Sequence, residues 1–150
     1  MLERLNSRWS IVEQKHYVQF AKEHVHLDGL YFYESVSDIP EKYNLVIFSS
    51  VLQYLEHAGE LVEDVIKTGP KYVVIERTPV SVCHHIWVQT VHEPIYEASY
   101  AACVYTDEEL SAMVTGSGYE LIDSWHSLVD GDEWIGDKRV EYKSFVFKKR

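Results

Sequence analysis

Glycine is scarce in this chain, seven in 150 residues, alongside four prolines and two cysteines. So few glycines leave little room for the bare-backbone loops that cradle phosphates. The one G-x-G, Gly116-Ser-Gly118, follows a helical stretch and precedes an extended one. That order is the reverse of a nucleotide loop, and it reads as a helix C-cap and turn. Cys83 and Cys103 form no CxxC. They read as small buried hydrophobes with reduced thiols in a cytoplasmic protein, although the sequence leaves a disulfide between them open. Basic residues are also short, 14 against 24 acidic, for a formal charge of −10. Such a surface repels phosphate backbones and anionic lipid, which argues against nucleic acid and membrane as partners. No run approaches the roughly 18 apolar residues of a membrane helix. Met1 to Trp9 lacks the apolar core of a secretory leader. With no repeat, low-complexity tract or linker, a single domain over residues 1–150 is expected.

What is present is an ordinary globular composition, 46% apolar and 25% charged, with eleven Tyr and four Trp that need a core or pocket. Short β-rich runs alternate with helical stripes. Strands are expected at 9–13, 30–33, 43–48 and 71–76, the third apolar on both faces like a central parallel strand. Helices are expected at 14–23 and at 51–67, the second broken near Ala58-Gly59 and stopped by Gly69-Pro70. Residues 78–105 are less regular. Thr106-Asp-Glu-Glu109 is a capping box opening a helix to Thr115. Strands at 119–127 and 140–148 follow, joined by the polar turn Asp130-Gly-Asp-Glu133. The order β-α-β-β-α-β, an excursion, then α-β-β predicts an α/β fold, a mostly parallel Rossmann-like sheet with an antiparallel C-terminal pair.

In open α/β sheets ligands bind beyond the carboxyl ends of the strands. The residues there are Glu13, then Tyr33-Glu34-Ser35, Ser49-Ser50, and Glu76-Arg77-Thr78-Pro79. Glu13 suits a ribose, whose vicinal hydroxyls a carboxylate accepts, and equally suits a helix N-terminus. Ser49-Ser50 permits close backbone approach of a ligand, or caps the following helix. Other clusters carry less. Cys83-His84-His85, with His92 and Cys103, lacks zinc-ligand spacing, so no metal is expected. His57 is a weak candidate general base beside the reading of a solvated loop histidine. Asp130, Asp132, Glu133 and Asp137 read as a solvated hairpin rather than a calcium loop.

Phe48-Ser-Ser-Val-Leu-Gln-Tyr-Leu-Glu56, followed by a helix and Gly69-Pro-Lys-Tyr-Val-Val-Ile-Glu-Arg-Thr-Pro79, resembles the class I S-adenosylmethionine-dependent methyltransferases. More narrowly, "WSIVEQ", "SSVLQYLE", "GPKYVVIERTP" and "PIYEASY" are similar to a bacterial methyltransferase family of unestablished substrate. The resemblance runs from Trp9 to Lys148. It implies S-adenosylmethionine as cofactor, methyl transfer to a small-molecule or saccharide acceptor, and a sheet of order 3-2-1-4-5-7-6. It further implies that Glu13 binds the ribose, Glu34 and Ser35 lie beside the adenine, and Ser49 and Ser50 lie along the methionine. Gln53 and Tyr54 would face the acceptor, with Arg77, Thr78, Gln89, Tyr96, Ser99 and Tyr100 forming its pocket.

The first strand of that sheet and its glycine loop have no counterpart after Met1, so the sequence reads as N-terminally truncated relative to the family. Removing the central strand leaves two unpaired edges. The expected remedies are a homodimer or direct pairing of the family's strands 2 and 4. Two functional readings follow: a methyltransferase, or a catalytically inactive methyltransferase-like module acting through dimerisation or protein interaction.

Overall fold

The structure, a computed structural model, describes residues 7–94, 97–127, 131 and 133–150. The chain divides into two compact units, Met1–Lys42 and Tyr43–Arg150.

The first unit is a βαβ motif. Strand β1 (Trp9–Val12) runs parallel to β2 (Leu30–Tyr33), in register from Trp9↔Leu30 to Val12↔Tyr33, with helix α1 (Lys15–His24) between them in sequence. Its apolar spacing buries Val18 and Ala21 one turn apart on one face of α1. Gly29 sits at φ 83°, and a Cβ there would stand 2.7 Å from the Ser7 carbonyl oxygen, so only glycine fits this turn. Arg8 ties the strands' flank together: its guanidinium lies 3.7 Å from the Tyr31 ring centre, donates to the Tyr33 hydroxyl at 3.1 Å and pairs with Glu41 at 2.9 Å.

The second unit is built on a five-stranded sheet. Strand β3 (Leu45–Ser49) leads through α2 (Ala58–Lys67) to the parallel strand β4 (Tyr72–Val80). A hairpin, β5 (His85–Val91) and β6 (Ala98–Val104), precedes α3 (Asp107–Thr115), β7 (Tyr119–His126), β8 (Glu133–Ile135) and the long β9 (Lys138–Lys149). The sheet order is β3-β4-β9-β7, with β8 also on β9 and every pairing of β9 antiparallel. Buried Val73 and Ile75 of β4, Phe145 and Phe147 of β9, and Val62, Val65 and Ile66 of α2 form its core with Leu110 and Val114 of α3. α2 ends where expected: Gly69 at φ 82° donates its N–H to the Ile66 carbonyl at 2.8 Å. The neighbouring Pro70 carbonyl accepts the hydroxyl of buried Tyr119 at 2.6 Å.

The architecture is the expected α/β one. The two sheets read β2-β1 and β3-β4-β9-β7, which are the 3-2 and 4-5-7-6 portions of the family's strand order. Within the first unit β1 pairs β2, and within the second β3 pairs β4. Two local expectations change. Strands β5 and β6 form a regular antiparallel pair whose residues alternate in exposure along β5 and the first half of β6. Residues 51–57 are not helical throughout but hold a 3-10 turn at Leu52–Tyr54, with α2 starting only at Ala58.

Candidate functional site

The carboxyl end of β3 lies beside the middle of β4, Ser49 opposite Glu76, because β4 runs on past its expected end at residue 76 to Val80, held there by β9. Ser49 Oγ donates to Glu76 Oε2 at 2.8 Å, and the Ser50 N–H donates to the Glu76 carbonyl at 2.9 Å. At the next residue of each strand the backbone turns left-handed, Ser50 at φ 51° and Arg77 at φ 52°, the two such non-glycine residues among those described. That conformation costs a side-chain-bearing residue on the order of 1–2 kcal/mol and concentrates at functional sites. At Arg77 it falls within an irregularity of the β4–β9 ladder between Ile75 and Thr78, where the Arg77 N–H donates to buried Ser144 Oγ at 3.3 Å.

Both residues line a polar cleft of about 350 Å³ in the second unit, completed by Tyr54, Gln89, Gly131, Glu133 and Tyr142. The 3-10 turn reaches it because Tyr105 Oη donates to the Leu52 carbonyl at 3.0 Å from a buried position. Burial, and then the neighbouring Cys103, push the Tyr105 hydroxyl pKa well up, so it stays a donor. Tyr54 Oη donates to Gln89 Oε1 at 3.1 Å, and its ring meets that of Tyr100 edge-on at 5.3 Å. Gln89 and Tyr100 are cross-strand partners, so the hairpin holds Tyr54 from both of its strands. Gln53, 2% exposed, donates through Nε2 to Ser50 Oγ at 3.1 Å, while its Oε1 is buried with no hydrogen-bond partner among the described residues.

Of the residues read from sequence, the fold brings Ser50, Tyr54, Arg77 and Gln89 to one cleft, with Gln53 and Tyr100 bonded or stacked directly behind them. Ser49 is turned to Glu76. Thr78 is fully buried, its Oγ1 3.5 Å from the Glu76 carbonyl; it is a core residue, not a wall of the pocket. Ser99 is exposed opposite Thr90, on the hairpin face away from Gln89 and Tyr100, because successive strand residues alternate sides. Tyr96 lies outside the described residues. His57 is exposed at the start of α2, 3.7 Å from Glu60, and does not line the cleft.

In the first unit, Glu13 follows β1 and accepts the N–H of its neighbour Gln14, the residue that precedes α1, on one carboxylate oxygen at 2.9 Å. Glu34 and Ser35 are exposed after β2, and Ser35 Oγ caps a 3-10 turn by accepting the Ser37 N–H at 3.2 Å. The histidine and cysteine cluster is occupied by its own neighbours: His84 bonds Glu109 at 3.2 Å, His85 bonds the Cys83 carbonyl at 2.9 Å, and Lys138 Nζ stands 3.0 Å from Cys83 Sγ. Sequence reasoning missed Gly131, Glu133 and Tyr142 as cleft residues: in sequence Gly131 and Glu133 read only as part of a polar, solvated turn, and β8 and β9 bring Glu133 and Tyr142 in from more than 80 residues beyond Ser50.

No protein-family model matches the sequence, and no curated protein matches it. Solved structures do resemble it. The glycopeptide N-methyltransferase MtfA with S-adenosylhomocysteine superposes with a TM-score of 0.64 at 12% identity, over 94% of this chain and 71% of that one. A SAM-dependent methyltransferase from Methanosarcina mazei gives 0.61 at 11% identity, over 91% of this chain and 78% of that one. LepI in complex with SAM gives 0.61 at 11% identity over 98% of this chain, and a structure described as a pericyclic reaction enzyme gives the same values. This chain spans 37% of the length of LepI and 58% of the 1,6-didemethyltoxoflavin N1-methyltransferase of Burkholderia thailandensis. The chain therefore has the α/β fold of the SAM-dependent methyltransferases.

Proposed function

We propose that this chain serves S-adenosylmethionine-dependent methyl transfer to a small polar acceptor, a saccharide or similar hydroxylated molecule. The observation that carries this reading is the pair of left-handed residues, Ser50 and Arg77, just beyond the last rung of the parallel β3–β4 ladder on one polar cleft. Backbone strain there places polar groups at the position where α/β folds take their ligands. Solved neighbours of the same fold carry S-adenosylmethionine or S-adenosylhomocysteine.

In this reading Glu13 offers a carboxylate oxygen with no described partner to the cofactor ribose, and Glu34 and Ser35 stand by the adenine. Ser49 and Ser50 present small side chains along the methionine. The cofactor supplies an activated methyl group when bound, so the protein's part is positioning: Gln53, Tyr54, Arg77, Gln89 and Tyr100 orient the acceptor. The fold alone does not fix the chemistry, as the pericyclic enzyme among the neighbours shows.

The same proposal includes a homodimer in the cytoplasm. The outer edges of the second unit's sheet contrast. β7 carries Glu120, Asp123 and His126 beside its exposed Leu121, Ile122 and Trp125, whereas β3, Leu-Val-Ile-Phe-Ser, carries no charge at all and exposes Leu45 and Ile47. Two free thiols fit a reducing compartment.

Isothermal titration of S-adenosylhomocysteine is the test. Micromolar binding, weakened at least tenfold by Glu13→Ala, supports the reading, and no binding at millimolar ligand overturns it in favour of a non-catalytic module.

A further inference from the structure

From the unmatched groups of the cleft we infer that the acceptor presents a protonated amine, as an amino sugar does, and is methylated on nitrogen. The inference rests on the proposed methyl transfer and specifies its substrate.

The hydrogen-bonding capacity of the cleft is lopsided. Glu133 lines it, exposed, with no hydrogen bond or ion pair to any described residue. Gln53 does not itself line the cleft, but its amide nitrogen donates to Ser50 Oγ while its carbonyl oxygen is buried with no partner among the described residues. A buried acceptor left without a donor costs on the order of 1–3 kcal/mol. Tyr54 has given its proton to Gln89, so its oxygen too has only acceptor capacity left. Arg77 also lines the cleft and has a contact of its own within the chain, whereas Glu133 has none to any described residue and is the charge left to pair. The outstanding demand is therefore for donors and for one positive charge. An ammonium supplies both, with three N–H groups and a charge to set against Glu133. A formal charge of −10 on the chain further concentrates cations at its surface. Hydroxyls of the same molecule suit Ser50 Oγ, whose hydrogen is free because it accepts from Gln53, and Gln89 Nε2.

The chemistry balances. The ammonium first loses a proton to solvent, to which Glu133 leaves the cleft open. The neutral nitrogen's lone pair then takes the methyl carbon from the sulfonium. The C–N bond forms as the C–S bond breaks, sulfur keeps the bonding electrons as a neutral thioether, and the positive charge ends on the methylated ammonium.

The experiment compares glucosamine, glucose and glucuronate by saturation-transfer NMR in the presence of S-adenosylhomocysteine, on the full chain and on Glu133→Gln. The expected result is at least tenfold tighter binding of glucosamine than of glucose, with glucuronate weakest and the preference lost in Glu133→Gln. N-acetylglucosamine, which keeps the size and loses the charge, should bind like glucose. Equal binding of glucosamine and glucose, a preference for glucuronate, a preference that survives Glu133→Gln, or no binding of any of them at tens of millimolar overturns the inference. Far-UV circular dichroism checks that Glu133→Gln is folded; because Glu133 is exposed, the fold should be unchanged. The calorimetric titration of S-adenosylhomocysteine is independent of all these outcomes. If it shows cofactor binding while the sugars fail to discriminate, the amine assignment fails and the methyltransferase reading stands.

Discussion

Ser50 and Arg77 each follow one member of the cross-strand pair Ser49↔Glu76, and both backbones turn left-handed at that level, at φ 51° and 52°. Such matching strain on neighbouring strands is a local cost borne by the rest of the fold. At position 50 it can be measured. Ser50→Ala and Ser50→Gly both delete the hydroxyl and differ in the Cβ that the left-handed region disfavours. Glycine should be more stable than alanine by about 1 kcal/mol, or about 2–4 °C in melting temperature for a chain of this size. Equal melting temperatures would show that the turn relaxes without cost.

Alkaline pH should loosen the second unit. Buried Tyr105 and Tyr119 both donate to backbone carbonyls, at 3.0 and 2.6 Å. Burial raises both hydroxyl pKa values, with Cys103 adding to the first and Tyr43 to the second. A folded-state pKa above the unfolded one contributes stability that is complete below about pH 10 and is lost as pH rises beyond it. Denaturant midpoints should hold steady from neutrality to about pH 9.5 and fall above it, with a shallower fall in Tyr105→Phe.

The proposed homodimer depends on the uncharged edge of β3. Ile47→Lys, at a position 41% exposed, should leave the circular dichroism spectrum intact and raise the dimer dissociation constant in analytical ultracentrifugation at least tenfold, about 1.4 kcal/mol. Leu121→Lys on the charged edge of β7 should leave it unchanged. A wild-type chain that sediments as a monomer at every concentration would refute the dimer.

Core substitutions should follow volume. Ile75→Val, at a fully buried site in β4, should cost about 0.5–1.5 kcal/mol, and Phe147→Ala on β9 about 3–5 kcal/mol, read from urea melts. At the start of α3 the Thr106 hydroxyl accepts the Glu109 N–H at 3.1 Å while Glu109 accepts the Thr106 N–H at 2.8 Å. Thr106→Ala should cost about 1 kcal/mol.

That capping box was legible in four consecutive residues, as was the glycine stop of α2, because both are local hydrogen-bonding devices. β2 and β3 were legible as strands, since a short, continuous apolar run bounded by turn residues fits a strand better than a helix; the expectation that 43–48 is apolar-buried on both faces was not met, because β3 ends its sheet's order with Leu45 and Ile47 exposed. Val12 and Tyr33 ending their strands also put Glu13 and Glu34 where strand-end reasoning expected them. The hairpin was not legible, because its alternation is blurred by Trp87 and Ala101 and because its inner face packs against a turn far away in sequence. Thr78 looked like a site residue by adjacency to Arg77, but the ladder irregularity at that point turns it inward. Glu133 and Tyr142 enter the cleft through strand pairing alone, a relationship without a local trace.

The placement of β9 also bears on how the second unit assembles. This strand is the latest of the unit in sequence, yet it lies between β4 and β7, pairing Tyr72 with Lys148 and Tyr119 with Lys149. The sheet can close only after the 60 residues between Val80 and Glu141 have been looped out, an entropic toll levied before the contacts return it. Refolding should therefore be limited by the docking of β9, with β3, α2 and β4 acquiring amide protection earlier than the strands on either side of that final insertion.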